Sequence, residues 1–202
     1  VARGLEQFVV LGAGLDTFAY RNPYDRLRVF EVDHPATQTW KRGRLAQTGI
    51  DVPATVSYVD VDFASADWFD ALCRAGFDAD APAAFSWLGV VMYLHIDDVR
   101  STLRRIASLR DGTFVVFDYA VTAELLTARQ RAVADALAAR VAAVGEPFVT
   151  SWHPHDLGND LRAFGFREVC DDGPDELNAR YFDGRSDGLR TGGLARIAYA
   201  RV

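Results

Sequence analysis

The sequence predicts an α/β domain, built on a mostly parallel sheet with an antiparallel last strand and helices on both faces. Three observations predict it. Short apolar runs alternate with helix-like segments five times up to residue 144. With short connections between them, each crossover must return the chain to the same end of the sheet, which makes those strands parallel. The first run is apolar without alternation, as in a strand buried on both faces. Beyond residue 165, two strand-like segments lie close enough together to pair antiparallel.

Each element has its own signal. Gln7-Phe8-Val9-Val10-Leu11 reads as the first strand and stops at Gly12. Residues 15–26 are helix-like, shortened by Asn22-Pro23, because proline breaks a helix and pushes the residue before it toward extended backbone. Residues 27–33 alternate and stop at His34-Pro35, where Pro35 suits a first helical position. Residues 36–48 then read as a helix closed by Gly49. Residues 55–60 form a third strand, 68–75 a short helix stopped by Gly76, and 83–88 a fourth strand. Between 97 and 109, Val99, Leu103, Ile106 and Leu109 share one helical face. After the Asp111-Gly112 turn, residues 113–118 read as a fifth strand. Residues 121–144 form the longest expected helix, with Val121, Leu125, Val133, Leu137, Val141 and Val144 at a period near 3.6. Residues 154–164 read as a helix ending at Gly165, 166–170 as a strand, 171–193 as a Gly- and Asp-rich connection, and 194–200 as a last strand at or near an edge. No internal repeat or linker interrupts the chain, so residues 1–202 read as a single domain.

Composition excludes several classes. The 22 basic and 28 acidic residues leave a charge of −6, and Lys41 is the only lysine, which suits neither nucleic acid nor an anionic membrane. Two cysteines, Cys73 and Cys170, are too few for a disulfide scaffold or a zinc cluster. No apolar run approaches the roughly 20 residues that span a bilayer, and no signal peptide is visible, so the expected location is the cytoplasm.

Ligands of an open parallel sheet bind beyond the carboxyl ends of its strands, so chemistry is sought there. Gly12-Ala13-Gly14 follows the first strand, and glycines let backbone approach a ligand closely. A dinucleotide fingerprint would need a third glycine where Thr17 stands. Asp33 ends the second strand 19 residues after Gly14, the spacing at which a carboxylate can accept from ribose hydroxyls; the competing role for Asp33 or His34 is a cap on the next helix. Asp62 and Phe63 follow the third strand, where an acid can accept from an exocyclic amine and a ring can stack. Gly89 allows close approach after the fourth strand, with Trp87 and Tyr93 near it, and Tyr119 follows the fifth. His153-Pro154-His155-Asp156 reads as a loop and cap rather than a metal site.

Together, the run from Phe8 to Thr17, Tyr20-Arg21, the run from Phe30 to Pro35, Val61-Asp62-Phe63 and the block from Trp87 to Leu94 resemble the leucine carboxyl methyltransferase superfamily, and within it the bacterial branch of S-adenosylmethionine-dependent methyltransferases. The resemblance covers residues 7–120 and is compatible with the rest. It implies a class I methyltransferase (Rossmann-like) fold with S-adenosylmethionine as cofactor and a small-molecule methyl acceptor. Gly12 and Gly14 then lie beside the methionine part, Asp33 takes the ribose, and Asp62 with Phe63 holds the adenine. Asp16 and Arg21 also occupy motif positions, either paired with each other or touching the ligand. Many relatives carry a glutamate where this chain has Leu88. Family members usually have a helical segment before the first strand, so this chain is expected to be a shortened product or a fragment.

A carboxylate acceptor is ionised at pH 7 and needs no general base, whereas an alcohol or phenol does. The only histidine among the strand-end candidates, His34, falls beside the ribose position, so a carboxylate or another acidic oxygen is the expected acceptor. Trp87, Tyr93 and Tyr119 are expected to shape its site, and no catalytic residue stands out. Two other readings remain. One is an NAD-dependent oxidoreductase, against which Thr17 argues. The other is a non-catalytic cofactor-binding or interaction domain.

Overall fold

The computed structural model describes residues 4–62 and 68–202. Seven strands form one sheet: β1 (Gln7–Leu11), β2 (Arg28–Asp33), β3 (Val56–Asp60), β4 (Ala84–Trp87), β5 (Phe114–Ala120), β6 (Glu168–Asp172) and β7 (Ala195–Arg201), in the order β3-β2-β1-β4-β5-β7-β6. The ladders from β3 to β5 are parallel, and β7 runs antiparallel to both β5 and β6. The connection reverses direction across the sheet between β1 and β4, which opens a crevice at their carboxyl ends.

The helices are α1 (Pro35–Thr48), α2 (Trp68–Arg74), α3 (Ile96–Ala107), α4 (Ala128–Ala142), α5 (Pro154–Phe164) and α6 (Pro174–Tyr181). The strand period of two sorts side chains onto two faces. Val9, Leu11, Phe85, Trp87, Val115 and Phe117 share the main core with Leu72 of α2, Leu103 and Ile106 of α3, and Leu157 and Leu161 of α5. On the opposite face a smaller cluster holds Val10, Ala13, Ala19 and Val29, and α1 lies on that side over β2 and β3. Further along this second face, Ser86, Phe114, Val116, Ile197 and Tyr199 are only half buried.

Four expectations are corrected. The helix expected over 15–26 is a single 3-10 turn, Phe18–Arg21; Asp16 accepts from Phe18 N–H at 2.6 Å, and Pro23 leaves no length for a full helix. The helix expected over 121–144 is a 3-10 turn, Ala123–Leu125, followed by α4. Thr127 starts α4 with a reciprocal cap: its hydroxyl accepts from Gln130 N–H at 3.3 Å, and Gln130 Oε1 accepts from Thr127 N–H at 2.9 Å. Leu125, Val133, Leu137 and Val144 of its stripe are exposed. The connection expected over 171–193 contains α6, begun by Pro174, with Glu176 accepting from Gly173 N–H at 2.9 Å. β6 also starts later than expected, because Phe166 closes α5 by donating its N–H to Leu161 O at 3.2 Å and packs into the core.

Candidate functional site

A cleft of about 440 Å³ lies at the carboxyl ends of the central strands. Its backbone floor comes from Gly12, Gly14 and Gly89, and its other walls include Asp33, His34 and Thr37, then Val61 and Asp62, with Val90, Tyr93 and Leu94 on one rim, and Glu146.

The glycine loop is shaped by what it bonds. Gly12 has φ +68° and Gly14 φ +40°. Gly12 N–H donates to Val32 O at 2.8 Å, so the loop turns onto the end of β2. Gly14 N–H donates to Asp33 Oδ2 at 2.5 Å, and His34 N–H to Asp33 Oδ1 at 2.6 Å. Asp33 therefore ties the loop to the start of α1, and each carboxylate oxygen retains a lone pair for a further donor. The helix cap is His34 rather than Asp33: its Nδ1 accepts from Ala36 N–H at 3.2 Å, ahead of Pro35 at the first helical position.

The strand-end candidates divide: Tyr93 sits on a 3-10 turn after β4, and strand parity places Trp87 and Tyr119. Tyr93 lines the cleft, its ring 5.2 Å from that of Phe148. Trp87 and Tyr119 are each 0% exposed and lie in the main core. They share a face with Phe85 and Phe117, which turns them toward the helices and away from the cleft. The Tyr119 hydroxyl donates to Asp171 at 3.1 Å, and Arg196 Nε donates to the same carboxylate at 2.9 Å. The expectation that Trp87 and Tyr119 border an acceptor is corrected accordingly. Phe63 lies outside the described residues. Asp16 and Arg21 are each engaged by a neighbour, Asp16 by Phe18 N–H and Arg21 by Thr17 Oγ1 at 3.1 Å. His153 caps α5, its Nδ1 accepting from His155 N–H at 3.2 Å.

Two contributors went unread in the sequence. Asp118, next to Tyr119 but on the other face, accepts from Gly89 N–H at 2.7 Å, and burial pushes its carboxyl above the usual range against the pull of that bond. Strand parity was the signal that separated it from Tyr119. Glu146 reaches the cleft on a segment strapped to the rim: Val149 N–H and Thr150 N–H both donate to Met92 O, at 2.8 and 3.2 Å, and Thr150 Oγ1 donates to Leu94 O at 2.5 Å. No local pattern announces that long-range contact.

Among the described lining residues there are three carboxylates, Asp33, Asp62 and Glu146, and no lysine or arginine. Such a cleft attracts cations and repels a pyrophosphate.

A model of the leucine carboxyl methyltransferase family matches residues 1–107, just over half of the chain. The chain belongs to the leucine carboxyl methyltransferase family. Within that family's reach it is 34% identical over 190 residues, 92% of its length, to a Bacillus subtilis protein named "Putative S-adenosyl-L-methionine-dependent methyltransferase YktD". It spans 62% of the length of that relative. Its backbone is similar to the solved S-adenosylmethionine-dependent methyltransferase SibL in its apo form, with a TM-score of 0.60 and 16% identity, covering 98% of this chain and 51% of that one. It is also similar to a duf574 family protein from Streptomyces avermitilis, with a TM-score of 0.64 and 24% identity, covering 99% and 76% of the two chains. The seven-stranded sheet with its reversed β7 is the class I methyltransferase fold. In this leucine carboxyl methyltransferase relative, the glycine loop and Asp33 stand where that fold opens its crevice.

Proposed function

We propose that the cleft binds S-adenosylmethionine and that the protein transfers its methyl group to a carboxylate or another acidic oxygen of a small molecule. The observation that carries the reading is Asp33: a carboxylate at the tip of β2, anchored by Gly14 N–H and His34 N–H, facing a glycine floor in a cleft lined by acids. The residues fit the cofactor. An added Cβ on Gly12 would come within 2.3 Å of Val90 Cγ2, so the loop keeps its open floor only as glycine. The acid-lined walls suit a molecule with a sulfonium and an ammonium, and oppose the pyrophosphate of a nicotinamide dinucleotide.

Asp33 would take the ribose hydroxyls, the Gly12–Gly14 backbone would lie along the methionine part, and Asp62 would accept from the adenine amine. When bound, S-adenosylmethionine supplies a methyl group already activated for in-line displacement. The chain's task is then proximity and alignment. An acidic acceptor fits because His34, the imidazole at the cleft, has Nδ1 committed to Ala36 N–H, and an ionised oxygen needs no base. Tyr93 and Phe148 would border the acceptor.

Calorimetric titration with S-adenosylmethionine and S-adenosylhomocysteine, with NADH alongside, tests the reading. Micromolar binding of the first two is expected. Asp33→Ala should weaken it at least about 30-fold, roughly 2 kcal/mol, the worth of hydrogen bonds to a charged group. Unchanged affinity in that variant, or tighter binding of NADH, overturns the assignment.

A further inference from the structure

Below the cleft, on the α1 side of the sheet, lies a buried polar cluster that none of these roles uses. Lys41 is 5% exposed and Glu31 1%, with Nζ 2.8 Å from Oε2. The Tyr20 hydroxyl donates to the same Oε2 at 3.0 Å and lies 3.0 Å from the Tyr58 hydroxyl. The Lys41 ammonium also sits 5.4 Å from the Tyr20 ring centre, and the Arg42 guanidinium 4.9 Å from that of Tyr58. Gln38 Nε2 donates to Glu31 O at 2.7 Å, holding α1 against β2. Burial raises the Glu31 carboxyl, opposed by Lys41 and by the Tyr20 hydrogen bond. Burial, together with the hydrogen bond to Tyr58, raises the Tyr20 hydroxyl, which stays protonated and donating.

Stability alone does not account for such a cluster. Removing two charges from water is expensive, and apolar side chains of similar volume often hold a core as well or better. The placement is informative, because each member comes from a different wall of the cleft. Tyr20 sits on the 3-10 turn that continues the Gly12–Gly14 loop. Glu31 is two residues before Asp33, on the same face of β2. Lys41 is on α1, whose start carries His34 and Thr37. Tyr58 is on β3, which leads to Val61 and Asp62.

We propose that the Glu31–Lys41 ion pair, with Tyr20 and Tyr58, is a positioning device for the cofactor cleft: it sets the spacing of the glycine loop, Asp33 and the start of α1, so that cofactor affinity depends on side chains that touch no ligand. The inference rests on the S-adenosylmethionine reading above. Without Lys41, Glu31 is left as a buried carboxyl with no cation and must take up a proton or admit water. Protonation removes the charged acceptor that holds Tyr20, and entering water competes with the Tyr20 hydroxyl for it, so in either case the turn behind the glycine loop is released. Removing both charges relieves the uncompensated carboxylate but does not restore that acceptor.

Stability and affinity should therefore separate. Lys41→Met, the double variant Glu31→Gln/Lys41→Met, and Tyr20→Phe are compared with wild type and Asp33→Ala by thermal melting and by calorimetry with S-adenosylmethionine, folding being checked by circular dichroism. The double variant should melt closer to wild type than Lys41→Met does, yet bind about tenfold more weakly than wild type. Tyr20→Phe, which keeps the ion pair but loses the hydroxyl's contacts with both Glu31 and Tyr58, should still fold, melt somewhat below wild type and bind about fivefold more weakly. If the double variant does not fold, Tyr20→Phe decides. Affinities within about twofold of wild type in the folded variants, with Asp33→Ala still losing binding, would show a purely structural cluster and overturn the inference. Failure of the wild-type chain to bind S-adenosylmethionine overturns the cofactor reading, and this inference with it.

Discussion

Gly12→Ala tests the cleft's geometry without any ligand. Two separate penalties can be worked out. At φ +68° an L-residue is in the left-handed region, which costs roughly 1–2 kcal/mol. The new Cβ would also lie 2.3 Å from Val90 Cγ2, so Val90 must move, and forcing a packed side chain aside costs typically about 1–3 kcal/mol. The expected loss is about 2–5 kcal/mol, or a fall in melting temperature of roughly 4–20 °C for a chain of this size. Only the second penalty involves Val90. Val90→Ala deletes the methyl that clashes, so in the double variant the left-handed penalty remains and the steric one disappears. Urea unfolding of wild type, both single variants and the double variant gives the cycle. A coupling of at least about 1 kcal/mol is expected between these touching residues. A Gly12→Ala loss below about 0.5 kcal/mol, or single losses that simply add, would refute the close approach of Val90 to the glycine floor.

Two further outcomes follow from the same geometry. Asp118→Asn keeps an oxygen that can accept from Gly89 N–H but removes the carboxyl that burial has raised. In wild type, as pH rises past about 4, the unfolded chain ionises at Asp118's ordinary value while the folded state resists. The neutral carboxyl thus favours the fold at low pH, and that contribution is lost as pH climbs through the raised value. The variant should gain on wild type between pH 4 and 7 in a series of thermal melts, and parallel curves would count against the raised carboxyl. Thr127→Ala breaks the reciprocal cap of α4 and should cost about 1 kcal/mol, visible as faster hydrogen exchange in the first turn of α4; unchanged exchange would mean the cap carries no weight.

Much of this architecture was legible in local patterns. All seven strands and their directions follow from alternation, apolar runs and connection length. The acid at the tip of β2 follows from position alone, which also narrows the cap of α1 to Asp33 or His34; the structure gives it to His34. The misreadings have distinct physical causes. Trp87 and Tyr119 were read as ligand-facing because they are large and lie near strand ends, although their parity with Phe85 and Phe117 already turned them inward. Asp118, one residue from Tyr119, was passed over for the same reason. The stripe on α4 has helical period, but periodicity describes a face and not what meets it, and the structure leaves much of that face exposed. Glu146 reaches the cleft, and Phe148 the Tyr93 ring, through bonds from residues 149 and 150 to the main chain at Met92 and Leu94, a contact across more than 50 positions that no window of sequence displays.

The position of β7 has a consequence for how the chain is made. It follows β6 in sequence yet lies between β5 and β6, pairing with both along their lengths. Until residue 201 has emerged, β6 has no neighbour in the sheet and β5 presents an open edge. The ladders from β3 to β5 need no residue beyond 120, whereas β6 joins the sheet only through β7. Such an unpaired edge can be captured by other chains. The glycine loop and Asp33 thus belong to the part of the sheet whose pairing is complete without β7.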